Sequence, residues 1–164
     1  MKSPVRLPAR HPLHRDSQTL LDLESRCYRH PGERFNRRQI CALLANPNAC
    51  VAYSRIDGTI AGWAVGLLHR HGPRTCSGRL YALTVHPDFR GRHLGTRLAN
   101  RVLRQLVLQG PRSLSLEVRA TNPPARHLYT RLGFSPAEPL PDYYGPGIHG
   151  LRMRKLPARR NQPV

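Results

Sequence analysis

The stretch of this chain best suited to chemistry is Arg90-Gly91-Arg92-His93-Leu94-Gly95-Thr96, which stands between a β-prone run and a long amphipathic one. The first N–H groups of a helix have no partner inside it, and the aligned peptide dipoles add positive potential there, so a strand–turn–helix passage of this kind suits an anion. Gly91 and Gly95 let a ligand approach the backbone, and Arg90, Arg92 and Arg97 supply charge-assisted hydrogen bonds. A phosphate meets these requirements, although an ordinary basic turn into a helix has the same composition. The Gly-Lys-Ser/Thr ending of a nucleotide P-loop is missing. Ser54 and Ser115 lack a His and an acid at recognisable motif spacing, and no Gly-x-Ser-x-Gly elbow occurs, which argues against an acyl-serine route. Cys27, Cys41, Cys50 and Cys76 form no Cys-x-x-Cys pair and are read as small apolar fillers. His11, His14, His69 and His71 read as solvated loop residues, and no metal site is expected.

The elements that position this stretch are set by periodicity. Residues 16–28 carry Leu20, Leu21, Leu23 and Cys27 at a loosely helical spacing, with Asp16 or Ser17 placed to cap, and a second helix is predicted over 37–45, after the break at His30-Pro31-Gly32. Runs 49–56 and 59–68 are β-prone and flank Asp57-Gly58, a pair suited to a tight hairpin turn. A basic, Gly-containing loop at 69–78 leads to a third strand over 79–85. Leu94, Leu98, Val102 and Leu106 repeat every four residues, which predicts a helix of about four turns from His93 to the Gly110-Pro111 stop. Residues 113–119 alternate, with Leu114, Leu116 and Val118 on one face and Ser115, Glu117 and Arg119 on the other. Asn122 and Pro123 open another helix, striped by Ala125, Leu128 and Leu132 and ended by Gly133. Pro136, Pro139 and Pro141 interrupt the segment after Phe134, and a last strand is expected over 148–153.

Two segments carry a family resemblance. Leu83-Thr84-Val85-His86-Pro87-Asp88-Phe89-Arg90-Gly91-Arg92-His93-Leu94-Gly95 resembles the acetyl-CoA signature of the GNAT superfamily of N-acetyltransferases, Gln/Arg-x-x-Gly-x-Gly/Ala after a strand ending in Val-x-Pro, with His93 where the first glycine usually stands. Leu116-Glu117-Val118-Arg119-Ala120-Thr121-Asn122, with Ala125, Leu128-Tyr129 and Leu132-Gly133-Phe134, is similar to the C-terminal motif in the form carried by bacterial ribosomal-protein alanine N-acetyltransferases, as are Tyr143-Tyr144 and the apolar closing strand. The resemblance covers residues 81–156. It implies an α/β fold with a mixed, mostly antiparallel sheet of six to seven strands, about four flanking helices and a V-shaped cofactor cleft. It also implies acetyl-CoA as cosubstrate, with Leu83, Thr84 and Val85 pairing along the pantetheine arm, the pyrophosphate at Arg90, Gly91, Arg92, His93, Leu94, Gly95 and Thr96, and Asn122 as a further contact. Glu117 matches the general base and Tyr129 the general acid. Residues 1–156 are expected to form a single domain, with 157–164 a basic tail.

These roles are chemically apt. An amine attacks a thioester only when neutral, so a proton acceptor is needed beside the nucleophile and a donor beside the departing thiolate. Glu117 and Tyr129 are suitable types, although a salt-bridged carboxylate and a packed helix tyrosine are the plain structural readings of the same residues. A protein α-amine titrates near 7.7–8.0 and a lysine near 10.4, so at neutral pH their neutral fractions differ by roughly several hundred-fold. A weak carboxylate base therefore favours an N-terminal α-amine, with peptides, proteins and small amines all open as acceptors.

Composition sets the rival reading. In 164 residues, 27 Lys and Arg stand against 9 Asp and Glu, a formal charge of +18. Such a surface attracts polyanions, or reflects an arginine-rich coding bias. A nucleic-acid or ribosome-binding module is the alternative from another class, but no zinc finger or RNP-like aromatic strand is present, and there are only ten Phe, Trp and Tyr. An acetyltransferase docking on acidic or ribosomal partners, or a CoA-binding member without turnover, are further alternatives. No run of about 18 apolar residues and no secretory leader is seen, so no membrane association and a cytoplasmic location are expected. Residues 28–35 and 136–150 are the segments expected to choose the acceptor.

Overall fold

The computed structural model describes residues 16–28 and 33–157; the proline-rich start, the His30-Pro31-Gly32 break and the tail beyond Pro157 lie outside the described residues. Helix α1 (Ser17–Cys27) and helix α2 (Arg37–Ala45) come first. Asn36 opens α2 with a reciprocal cap: its side chain accepts from the Gln39 N–H and the Gln39 side chain accepts from the Asn36 N–H, both at 2.9 Å. Strands β1 (Ala49–Ile56) and β2 (Thr59–Arg70) then form the expected hairpin, with Asp57 and Gly58 at φ of 49° and 78°. Strand β3 (Cys76–Val85) returns antiparallel to β2. Both strands extend further than their composition indicates, because His69 pairs with Ser77 and Arg70 with Cys76, and the loop expected at 69–78 shrinks accordingly.

Helix α3 (Leu94–Leu108) crosses one sheet face and leads to β4 (Leu114–Arg119), α4 (Pro123–Arg131), β5 (Ser135–Leu140) and β6 (Gly150–Lys155). The strand order is β1-β2-β3-β4-β6-β5, so the described sheet has six strands. The segment that its prolines made hard to read forms a strand: β5 is the sheet edge, where a missing donor is tolerated, and it carries a bulge between Pro136 and Glu138. The last strand begins at Gly150 rather than 148, because Ile148 is held in a turn by hydrogen bonds with Gly145 and Tyr144.

Two cores sit on opposite faces. Leu20, Leu23, Ile40 and Leu44 of α1 and α2 pack on Ile60, Trp63 and Val65. On the other face, Leu94, Leu98, Val102 and Leu106 of α3 join Leu80, Leu114, Leu116, Phe134 and Met153. Strand glycines seat α3 closely: a Cβ at Gly66 would lie 2.5 Å from Val102 and 2.8 Å from Leu106. The functional consequence of the topology lies between β3 and β4. These strands are parallel and pair only at Gly78 with Leu114 and Arg79 with Ser115, so they diverge toward Val85 and Arg119.

Candidate active site

Beyond Arg79, β3 has no strand partner on its β4 side, which leaves a backbone edge open along one wall of a cleft of about 640 Å³. Leu83, Thr84 and Val85 line it, as do Arg90, Gly91, His93, Leu94, Gly95, Thr96, Asn122 and Tyr129. Arg92 does not: its guanidinium lies over the Phe89 ring, 5.6 Å from the centroid.

The passage from β3 to α3 explains the anion end. A single 3-10 turn at Pro87–Phe89 comes after the strand and is capped by His86, whose Nδ1 accepts from the Asp88 N–H at 3.2 Å. Arg90 then folds back so that its Nε donates to the Val85 carbonyl at 3.2 Å, which holds the guanidinium against the cleft wall. His93 adopts φ 57°, ψ 13°, the left-handed conformation that glycine takes without cost. No side chain caps α3, and the first intrahelical bond runs from the Arg97 N–H to the His93 carbonyl, so the N–H groups of Leu94, Gly95 and Thr96 are unengaged at the cleft. A Cβ at Gly91 would meet nothing within 4 Å, which keeps the approach clear. Asn122 caps α4 through its Oδ1, which accepts from the Ala125 N–H at 3.2 Å, and its amide nitrogen remains available.

At the other end Tyr129 projects from α4 against Phe134. Burial of its phenol, followed by the neighbouring Tyr28 and Tyr144, pushes its pKa well above the usual tyrosine range, so it stays protonated at neutral pH. Tyr144 is raised to about 12, again chiefly by burial, with Tyr143 and Glu117 adding to the shift. Glu117 is not on the cleft lining. It is part of a row of alternating charge across four strands: Arg79 on β3 contacts its Oε2 at 2.5 Å, Arg152 on β6 donates to its Oε1 at 3.1 Å, and Arg152 also reaches Glu138 on β5. Only 6% of the Glu117 side chain is exposed.

Reading the sequence missed Glu24, and reached Tyr28 only as the first residue of an acceptor segment and not as part of the cleft wall. Glu24 is fully buried; its Oε1 accepts from Trp63 Nε1 and Thr84 Oγ1, both at 2.9 Å, and its Oε2 from the Phe35 N–H at 3.2 Å. Burial pushes its pKa up, opposed by those three donors. The Thr84 hydroxyl is thereby held by Glu24, and Tyr28, which lines the cleft, has its hydroxyl 3.4 Å from it. The signal was present: Glu24 is a carboxylate within the apolar stripe formed by Leu20, Leu23 and Cys27.

A sequence model of the acetyltransferase (GNAT) family matches residues 17–134. The chain belongs to this family. As such it is an N-acetyltransferase, and its fold is shared with enzymes of several acceptor types. The ribosomal-protein-S18-alanine N-acetyltransferase of Escherichia coli superposes with a TM-score of 0.74 at 22% identity, over 92% of this chain and 94% of that one. The ribosomal-protein-alanine N-acetyltransferase of Brucella melitensis gives 0.74 at 20% identity, over 90% and 98%. An aminoglycoside 6'-N-acetyltransferase complexed with coenzyme A gives 0.75 at 16% identity, over 96% and 98%. The acetyltransferase is thus similar across nearly its whole length to proteins that differ in acceptor, which leaves the acceptor to be reasoned from the site.

Proposed function

We propose that this acetyltransferase moves the acetyl group of acetyl-CoA directly to an amine in a ternary complex, with a protein or peptide N-terminal α-amine as acceptor. The carrying observation is that one cleft holds both an uncapped helix terminus with free N–H groups and a half-buried, protonated tyrosine, joined by an open strand edge. When bound, acetyl-CoA supplies an acyl group on a good thiolate leaving group. The residues present fit it. The N–H groups of Leu94, Gly95 and Thr96, with Arg90, would hold the pyrophosphate; the open edge at Leu83 and Val85 would hold the pantetheine arm as an added strand; Asn122 would donate from its amide.

Tyr129 serves as the proton donor to the departing sulfur. Its raised pKa keeps the phenol protonated until the sulfur gains charge, so the proton is at hand for the departing thiolate. Glu117 is proposed as the base for the amine. A second reading is favoured by its two arginine partners: Glu117 fixes the divergent ends of β3, β4 and β6 and acts through their placement. The two separate in Glu117→Gln, where a base role lowers kcat with little change in acetyl-CoA affinity, while an unaffected rate removes the base assignment.

The N-terminal acceptor is supported by the pKa difference between α-amines and lysines and by the similarity to the two ribosomal-protein alanine enzymes. Thiol release measured across N-terminal peptides, lysine peptides and small amines tests it. Release with N-terminal peptides above the others is expected; a preference for lysine peptides or aminoglycosides would overturn the acceptor assignment. A location in the cytoplasm and a single domain over residues 1–156 belong to the same proposal, and among the described residues no helix is long and apolar enough to cross a membrane.

A further inference from the structure

The positive charge is not spread evenly. None of the nine acidic residues lies on α3 or α4, and none occurs between Asp57 and Asp88 or between Asp88 and Glu117. The two acid-free segments meet at one pole of the molecule. There the Arg112 N–H donates to the Cys76 carbonyl at 2.8 Å, the Gly78 N–H to the Ser113 carbonyl at 2.9 Å, and Arg70 pairs with Cys76 across the β2–β3 ladder. This brings Arg70 and Arg74 beside Arg112 at the carboxyl end of α3, whose outer face continues with Arg104 and Arg101. All five side chains are exposed, and none is in an ion pair among the described residues. The other arginines near acids behave differently: Arg55, Arg79, Arg119 and Arg152 are all paired.

We propose that this pole is a docking surface for the phosphodiester backbone of a nucleic acid strand. A row of guanidinium groups matches a regularly repeating polyanion, and each fork suits two phosphate oxygens. An anionic membrane is a poorer match, because a helix that lies on lipid presents apolar residues outward. The apolar stripe of α3 is instead buried under the sheet, with Leu98, Val102 and Leu106 at 4% exposure or less. The location also leaves catalysis free. Helix α3 is about 22 Å long by its residue count, its amino end opens into the acetyl-CoA cleft, and the basic pole is at its other end. A bound strand would thus hold the enzyme at a nucleic-acid-rich assembly with the cleft still facing outward.

The test is fluorescence anisotropy of the full chain with a short labelled single-stranded RNA and a DNA of the same sequence, between about 50 and 200 mM salt. The variant Arg101→Ala/Arg104→Ala/Arg112→Ala is expected to bind at least roughly tenfold more weakly and to lose about 2 from the magnitude of its log–log salt slope, at about 0.7 per lost contact. Its thermal midpoint should match the wild type, which establishes that it folds. The control Arg126→Ala/Arg131→Ala on α4 is expected to bind nearly as the wild type. RNA and DNA binding alike, or RNA alone, both support the surface and say which nucleic acid it takes. Unchanged affinity and slope in the triple variant, or an equal loss in the α4 control, would overturn the proposal. So would equal competition by poly-glutamate or by phosphatidylserine vesicles, the first pointing to an acidic protein and the second to a membrane.

Discussion

Single side chains in this protein carry distinct and separable burdens. His93 holds a left-handed backbone that a non-glycine residue adopts at a cost of about 1–2 kcal/mol. His93→Gly should therefore stabilise the fold by up to about 1 kcal/mol after the extra freedom of the unfolded glycine is counted, read as a rise in Tm; a fall would mean that the imidazole itself supports the loop. Glu24 carries a different signature. Its pKa in the folded chain is raised above the ordinary 4.5, so the native state binds the proton more tightly than the unfolded chain. That contribution is fully present below about 4.5 and is lost as pH rises through the raised value. Denaturation of wild type and Glu24→Gln as a function of pH should show the stability difference moving in the variant's favour as pH rises above that range. At every pH the variant still faces an added cost of about 1–3 kcal/mol, because the amide leaves one of the Trp63, Thr84 or Phe35 donors unmet. A constant difference would contradict the assignment.

At the scale of elements, the cleft exists because β3 and β4 are parallel neighbours that pair over one short stretch and then separate. Nothing in the local sequence states this. The alternation of Leu114, Leu116 and Val118 and the four-residue repeat of α3 were both legible, since each is a local consequence of one buried face. The neighbours of β4 were not, because partner choice is set by the crossover of α3 and the return of β6, contacts distant in sequence. For the same reason Glu117 was legible as an outward-facing residue of a strand, while its place in the row Arg79–Glu117–Arg152–Glu138 required the register of four strands. The bounds of strand β5 were hard to read because of its prolines, which an edge tolerates and a central strand does not. The seating of α3 gives a prediction at this scale. Gly66→Ala places a methyl against Val102 and Leu106, and overpacking of this kind costs about 1–3 kcal/mol. If the helix shifts to relieve it, its amino end moves too, and calorimetry should show weaker acetyl-CoA binding together with a lower Tm. Unchanged binding would show that the helix terminus is positioned independently of its seat.

The molecule as a whole is organised by two asymmetries, one of backbone and one of charge. The sheet opens toward the amino end of α3, where Arg90 and the free N–H groups meet Tyr129 in a common cleft, and Arg70, Arg74, Arg104 and Arg112 gather toward the other end. The net charge of +18 was readable at once, but its distribution required the fold to bring residues 70–76 against 109–113. The signature at residues 83–96 was legible because it is contiguous and its physics is local to one helix terminus, whereas Tyr28 and Glu24 reach the same site from the first helix and carry no adjacent motif. The central claim is that acyl transfer takes place in this cleft with Tyr129 donating the proton. It is tested most directly by the rate of acetyl-CoA-dependent thiol release at saturating acetyl-CoA, with an N-terminal peptide acceptor, for Tyr129→Phe against wild type. A fall in kcat of about 10²–10⁴ at unchanged acetyl-CoA affinity is the predicted result, and release that continues undiminished in the variant would contradict it.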